Sequence, residues 1–372
     1  MKKKKILHIS KFYYPTVGGI EEIAYNCVNA LRDRFEQKVI CFNEENESVI
    51  ECIEGVEIYR YNCIGCIASQ SISLSIIGGI KRMFKEWQPD YILLHYPNPY
   101  VSHFVLHNMI RGKLIVYWHS DIIKQKMLKL FFVRQNKVLI RKAYKIIATS
   151  PNYIDGSTWL KLAGDKCVVI PNCINDRKLL IPDKISEKIS QIRSENENKI
   201  ICISVGRHVE YKGFELLIKA SKELDNRFIF YIAGQGPLTD KLKMLAKDDG
   251  KIQFLGKINN ELLCSYLAAA DIFCFPSITK NEAFGVALAE GMYYGKPSVT
   301  FNIVGSGVNY VSVNRLTGIE CENQNYIEYA EALRVLADNE LLRKEYGMQA
   351  YKRVQNLFLL EQYYENIQGL FS

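Results

Sequence analysis

No apolar stretch of this 372-residue chain approaches the roughly 18 residues that a membrane-crossing helix needs, so no helical span is expected. The N-terminus reads as neither a signal peptide nor an anchor, since Met1 to Lys5 run from lysines straight into the strand-like Ile6-Leu7-His8-Ile9. The first strand is not followed by Gly-x-Gly-x-x-Gly, the dinucleotide fingerprint, which argues against a hydride-transfer enzyme. Asp-x-Asp occurs nowhere. One Cys-x-x-Cys is present, Cys63-Ile64-Gly65-Cys66, but with no second pair and no adjacent histidine it completes no zinc site. The eleven cysteines fall mostly in apolar runs such as Ile201-Cys202-Ile203 and Phe273-Cys274-Phe275, and read as reduced thiols of a cytoplasmic protein. Neither a repeat of solenoid period nor a low-complexity tract is found.

What the chain does have is length and apolar content. With 48% hydrophobic residues it can bury large cores, and its length suits two domains, hence a cleft. The net charge of +8 is uneven: residues 1–172 carry 24 Lys and Arg against 15 Asp and Glu, the remainder 24 against 25. An anionic surface or substrate is therefore expected to face the first half.

Short β-rich runs alternate with helical patterns, the signature of parallel sheets flanked by helices, so the class is α/β. Strands are expected near Lys5–Ser10, Lys38–Phe42, Val56–Tyr61, Asp90–His95, Lys113–His119, Lys145–Thr149 and Cys167–Ile170. A helix follows the first of them, because Ile20, Ile23, Ala24, Cys27, Val28 and Leu31 recur at helical spacing. The polar stretch Asp183 to Asn198 reads as an inter-domain connection. A second series follows at Lys199–Val205, Phe228–Ala233, Ile252–Leu255, Asp271–Phe275 and Pro297–Thr300, and helical patterns dominate from Asn325 onward.

Four loops carry candidate chemistry. Gly18-Gly19 lies between the first strand and a helix, where amides and the helix dipole can meet a phosphate, although a tight turn explains it equally well. The second series opens with a strand ending in Gly206-Arg207, with Lys212-Gly213 five residues on; two cations there can converge on one diphosphate. Ala233-Gly234-Gln235-Gly236-Pro237 ends another strand at the edge where open α/β sheets bind ligands. Glu282 and Glu290, read as one helix, would stand about 12 Å apart along it, one reaching sugar hydroxyls and the other ribose. The amides of Phe284, Gly285 and Val286 would then form the phosphate-facing helix N-terminus.

Taken together, Gly18-Gly19, His119-Ser120-Asp121, Gly206-Arg207 with Lys212-Gly213, Gly234-x-Gly236-Pro237 and Glu282-x₇-Glu290 resemble the retaining GT-B glycosyltransferases of family four, over the whole chain and in the family's order. Pro171-Asn172 with Asn175 resembles a further family segment, with Cys173 where the family has glycine. The resemblance implies two Rossmann-like domains with parallel sheets facing across a cleft: residues 1–172 with a returning helix at about 356–372, and residues 173–355. It implies a nucleotide diphosphate sugar as co-substrate, with no other cofactor. Arg207 and Lys212 would hold the diphosphate, Glu290 the ribose and Glu282 the transferred sugar. Gly19 and His119 would reach the donor from the first domain. Since the missing Asp-x-Asp is the usual metal–diphosphate ligand of the other main glycosyltransferase fold, no obligatory metal is expected.

His-Ser-Asp after a Tyr-Trp strand end also resembles enzymes of O-antigen and capsule assembly, several of which use mannose donors. The expected reaction is hexosyl transfer from a GDP- or UDP-hexose to a glycan or lipid-linked acceptor, with no nucleic acid partner. Two alternatives stay open: a sugar-nucleotide isomerase, which turns over without acceptor, and a non-catalytic nucleotide-sugar binder, which would lose the sugar-facing groups. Lys124 to Lys142 holds seven cations and no acid, interleaved with apolar residues. It predicts either a peripheral contact with the inner face of the plasma membrane or a core helix with solvated lysines.

Overall fold

The alternation of apolar strands with amphipathic helices resolves, in the computed structural model, into two α/β units. The structure describes residues 3–16, 18–67, 70–108, 111–122 and 129–371, with backbone alone at 67 and 129–132. One unit comprises Met1–Pro171 and Tyr363–Ser372, the other Asn172–Gln362.

The first unit is built on β1 (Lys4–Ile9), β2 (Phe35–Phe42), β3 (Val49–Ile53), β4 (Val56–Tyr61), the small hairpin β5 (Gly65–Ile67) and β6 (Gln70–Ile72), β7 (Tyr91–Tyr96), β8 (Lys113–Trp118), β9 (Lys145–Ala148) and β10 (Cys167–Val169). Its main sheet runs β10-β9-β8-β7-β1-β2-β4-β3, parallel throughout except for the antiparallel edge strand β3. Helices on both faces explain why β7 is buried at every residue and reads as a continuous apolar run. The helix Gly19–Leu31 buries Ile23, Ala24, Cys27, Val28 and Leu31. Tyr363–Ser372 belongs here because Tyr363 Oη lies 2.9 Å from Cys27 Sγ, Gln368 Nε2 donates to the Ala30 carbonyl at 2.8 Å, and Phe371 packs on Phe35 and Tyr91.

The second unit carries β11 (Ile200–Val205), β12 (Phe228–Ala233), β13 (Ile252–Gly256), β14 (Ile272–Phe275), β15 (Ser298–Phe301) and β16 (Gly318–Cys321), all parallel in the order β13-β12-β11-β14-β15-β16. The order reverses direction between β11 and β14, and the loops leaving these strands share one edge.

Three expectations need correction. The segment Asp183 to Asn198 is not a connection: it contains the helix Ser186–Glu195, which buries Ile192 and fastens to β14's approach through the Arg193–Asp271 ion pair at 2.9 Å. One buried isoleucine per three turns is too little apolar content to register as a helix from sequence. The strands β3, β5, β6 and β16 were not expected. β5, β6 and β16 have only three or four residues and β3 is an edge strand with no buried residue, so none of them forms the buried apolar run that marks the other strands. The third correction concerns the two glutamates and is given below.

Candidate functional site

In the second unit the loops after β11, β12, β14 and β15 interlock backbone against backbone. A Cβ at Gly234, whose φ is +123°, would stand 2.0 Å from the Gly206 carbonyl oxygen, and one at Gly236 would stand 2.5 Å from that of His208. Gly213, with φ +65°, lies equally close to the Pro276 carbonyl, and Gly307 to that of Ala283. No side chain fits at these approaches, so the glycines bring four loops into one surface at the carboxyl edge of the sheet.

Lys212 closes the short turn Glu210–Lys212 and folds its chain back over Gly206. Its ammonium pairs with the Glu282 carboxylate, and it stands 5.0 Å from the centre of the Phe275 ring. Both partners are well buried, with side chains 13% and 12% exposed. Burial alone would depress the lysine; the adjacent Glu282 carboxylate outweighs it and holds the ammonium above its ordinary range. Glu282 is further fixed by Ser277, whose hydroxyl donates to its carboxylate at 3.4 Å, and by Ser306, whose hydroxyl donates to its backbone carbonyl. The two groups assigned separately to diphosphate and sugar thus meet in one cluster. Arg207 is exposed, at the mouth of the same loop.

The helix that follows does not span both glutamates. Gly285 sits at φ +99°, and the helix begins only at Val286, ending at Tyr293. A left-handed residue cannot continue a right-handed helical run, so Glu282 lies in the preceding loop and the helical separation derived for the pair does not apply. The unsatisfied amides of the helix start at Val286 rather than at Phe284, whose side chain is buried edge-on against Phe358. Glu290 remains on the helix, one turn from its end, half-buried near Tyr294.

In the first unit, Gly18 caps the helix Gly19–Leu31 in extended conformation, and its carbonyl accepts from Glu22 N at 2.9 Å. The Glu21 carboxylate folds over Gly18, and burial raises its pKa. His119 follows β8 at the carboxyl edge, 5% exposed. Its Nε2 lies 2.9 Å from Nδ1 of His95, a β7 residue that the motif reading missed. Nothing in the run Tyr91–Tyr96 distinguishes a histidine facing a partner from one facing the core. Burial pushes the His119 imidazole down to about 3. Asp121 accepts from Trp118 Nε1 at 2.9 Å and from Ser157 Oγ at 2.8 Å, which holds the turn after His119.

The sequence matches two family models: Glycosyltransferase Family 4 over residues 17–178, and Glycosyl transferases group 1 over residues 185–353. It is 28% identical over 360 residues to O-antigen chain mannosyltransferase C of Escherichia coli, covering 95% of this chain and 94% of that one. It is 30% identical over 363 residues to an uncharacterized glycosyltransferase of Haemophilus influenzae, covering 90% and 94%. Among solved structures, Anabaena HepE in complex with UDP has the same fold, with a TM-score of 0.78 at 17% identity over 99% of each chain.

Proposed function

The chain belongs to the GT-B glycosyltransferases of group 1 and family 4, and from that premise we propose that it transfers a hexose from a nucleotide diphosphate sugar to a glycan or lipid-linked acceptor of bacterial surface polysaccharide. The observation that carries the reading is the Lys212–Glu282 cluster at the carboxyl edge of the second sheet, beside Arg207 and the helix start at Val286. Cations and helix amides stabilise a departing phosphate, while a carboxylate accepts hydrogen bonds from sugar hydroxyls. Glu290 is assigned to ribose. Gly18, Gly19 and His119 are assigned to the donor from the first unit, with Gly234, Gly236, Phe284 and Gly285 shaping the loops. The transfer is read as retaining: the acceptor hydroxyl attacks from the face that the phosphate leaves, and the departing phosphate takes its proton.

The O-antigen mannosyltransferase relative supports a mannose-type sugar, and the UDP complex of HepE supports a nucleoside diphosphate leaving group. Incubating the protein with a panel of GDP- and UDP-hexoses, with and without lipid-linked acceptor, tests the reading. Turnover that requires acceptor is expected; conversion without acceptor would mean an isomerase, and binding without conversion a carrier.

We read the transfer as metal-independent, a reading supported by the absent Asp-x-Asp and by the assignment of Lys212 and Arg207 to the diphosphate. Excess EDTA should leave most of the activity. Collapse restored only by magnesium or manganese refutes this part.

The basic segment supports peripheral attachment at the inner membrane face. Lys124, Lys126, Met127 and Leu128 lie outside the described residues. In the helix Lys129–Lys142, Arg134, Lys137, Arg141 and Lys142 are exposed while Leu139 and Ile140 are buried. Among the described residues no helix is long and apolar enough to cross a membrane. Each cation beside anionic lipid contributes on the order of 1 kcal/mol. Co-sedimentation with anionic liposomes should weaken with salt and in a Lys124/Lys126/Lys129→Glu variant; equal binding, or none by either protein, refutes the attachment.

A further inference from the structure

His95 pairs in register with Tyr117 of the neighbouring strand β8, which places it beside His119 two residues further on. His95 Nδ1 and His119 Nε2 are 2.9 Å apart, with the two rings inclined by only 9°, and Tyr117 stacks on His119 at 4.3 Å between ring centres. Both imidazoles are buried, and burial drives both far below the ordinary histidine range, so each is neutral at physiological pH. Between two neutral rings only one proton is available for the shared hydrogen bond. It belongs either to His95 Nδ1 or to His119 Nε2.

The far side of His95 decides between them. Its Nε2 is buried without a hydrogen-bond partner among the described residues. If His119 donated, His95 would have to carry its own proton on Nε2, as an orphaned buried N–H. If His95 donates, the orphan is a lone pair, and buried groups of that kind are tolerated more often than orphaned N–H groups. His8 offers a check in the same sheet. Gln37 Nε2 donates to the Val28 carbonyl at 3.0 Å, so its Oε1 must be the acceptor facing His8 Nε2 at 2.7 Å. His8 therefore carries its proton on Nε2, and its buried, unpartnered Nδ1 is again a lone pair.

We propose that His95 is a positioning residue: it donates from Nδ1 to His119 Nε2 and thereby holds His119 as the Nδ1–H tautomer, oriented to donate to a hydroxyl oxygen of the transferred sugar. The proposal rests on the reading of His119 as a sugar contact. It makes a specific demand on the substrate, because a fixed neutral donor recognises an oxygen acceptor and offers nothing to an ammonium or an amide N–H. Tyr117, stacked on the ring, limits its rotation and supports the same orientation.

The test uses the full chain labelled with ¹⁵N-histidine, with the His119 signals identified by their loss in His119→Gln. Long-range ¹H–¹⁵N correlations should show Nδ1 protonated and Nε2 unprotonated at His119. In His95→Leu the preference should be lost, and kcat should fall roughly tenfold, as expected for one neutral hydrogen bond, with little change in donor KM. His95→Asn, whose amide can present an N–H where Nδ1 stood, should restore both. Finding Nε2–H at His119 in the parent, or an unchanged His119 tautomer in His95→Leu, overturns the proposal; the parent spectrum alone decides if a variant fails to fold. Full transfer by His119→Ala would instead overturn the sugar-contact reading and leave the tautomer assignment standing.

Discussion

Replacing Lys212 by methionine is expected to lower kcat/KM by about 100-fold, since a charge-assisted contact to the leaving phosphate is worth about 1.5–3 kcal/mol. The same change leaves Glu282 without its cation in a site where both side chains are nearly enclosed. Breaking a buried pair by removing one partner typically costs about 3–5 kcal/mol, so the second unit should also melt earlier. The two effects separate in the double variant Lys212→Met/Glu282→Gln, which should regain most of the lost stability and none of the activity. Glu282→Gln alone should keep affinity for the free nucleoside diphosphate and lose kcat, whereas Glu290→Gln should lose that affinity first. Thermal melts, steady-state kinetics and calorimetric titration with nucleoside diphosphate measure these differences. A Lys212→Met protein with parental turnover would reduce the cluster to a structural ion pair, and equal loss of nucleotide affinity in both glutamate variants would contradict their division of roles.

Mild acid should unfold the first unit well before carboxylate titration does. His8 and His119 are held down to about 4 and about 3, and His95 well below its ordinary value, in each case chiefly by burial. A histidine with a folded pKa below the unfolded value of about 6.5 binds its proton more readily in the unfolded chain. Its stabilising contribution is therefore complete above about pH 6.5 and declines as pH falls toward the folded pKa. Each such group removes about 1.4 kcal/mol per pH unit, so three together cost roughly 4 kcal/mol per unit between pH 6 and pH 5. That is a large share of the 5–15 kcal/mol that holds a typical domain. Melting temperature measured from pH 7.5 to 4.5 should fall steeply below pH 6.5, and the slope should drop by about one proton in His95→Asn. A flat profile across that range would mean that the three rings are hydrated in solution.

Much of the candidate site is legible in the sequence because it lies in strand-to-helix loops, where glycines and charges stand out against apolar strands. Arg207, Lys212, Gly234, Gly236 and Glu282 were found in this way, and all lie on loops at one sheet edge. Ser277, Ser306 and His95 were not found, since a serine after a strand or a histidine within one carries no spacing signal. Their partners are 5, 24 and 24 residues away in the chain.

By itself the sequence determined the α/β class, twelve of the strands, and the order of the motifs, because apolar periodicity and turn residues act over a few neighbouring positions. Only the tertiary structure decided that Lys212 and Glu282 form a buried ion pair, that the helix starts at Val286 behind a left-handed Gly285, and that His95 reaches His119. These depend on which strands lie side by side and how closely their loops approach. Those approaches are set by long-range packing against glycine backbones, a contact that leaves no periodic trace in the chain.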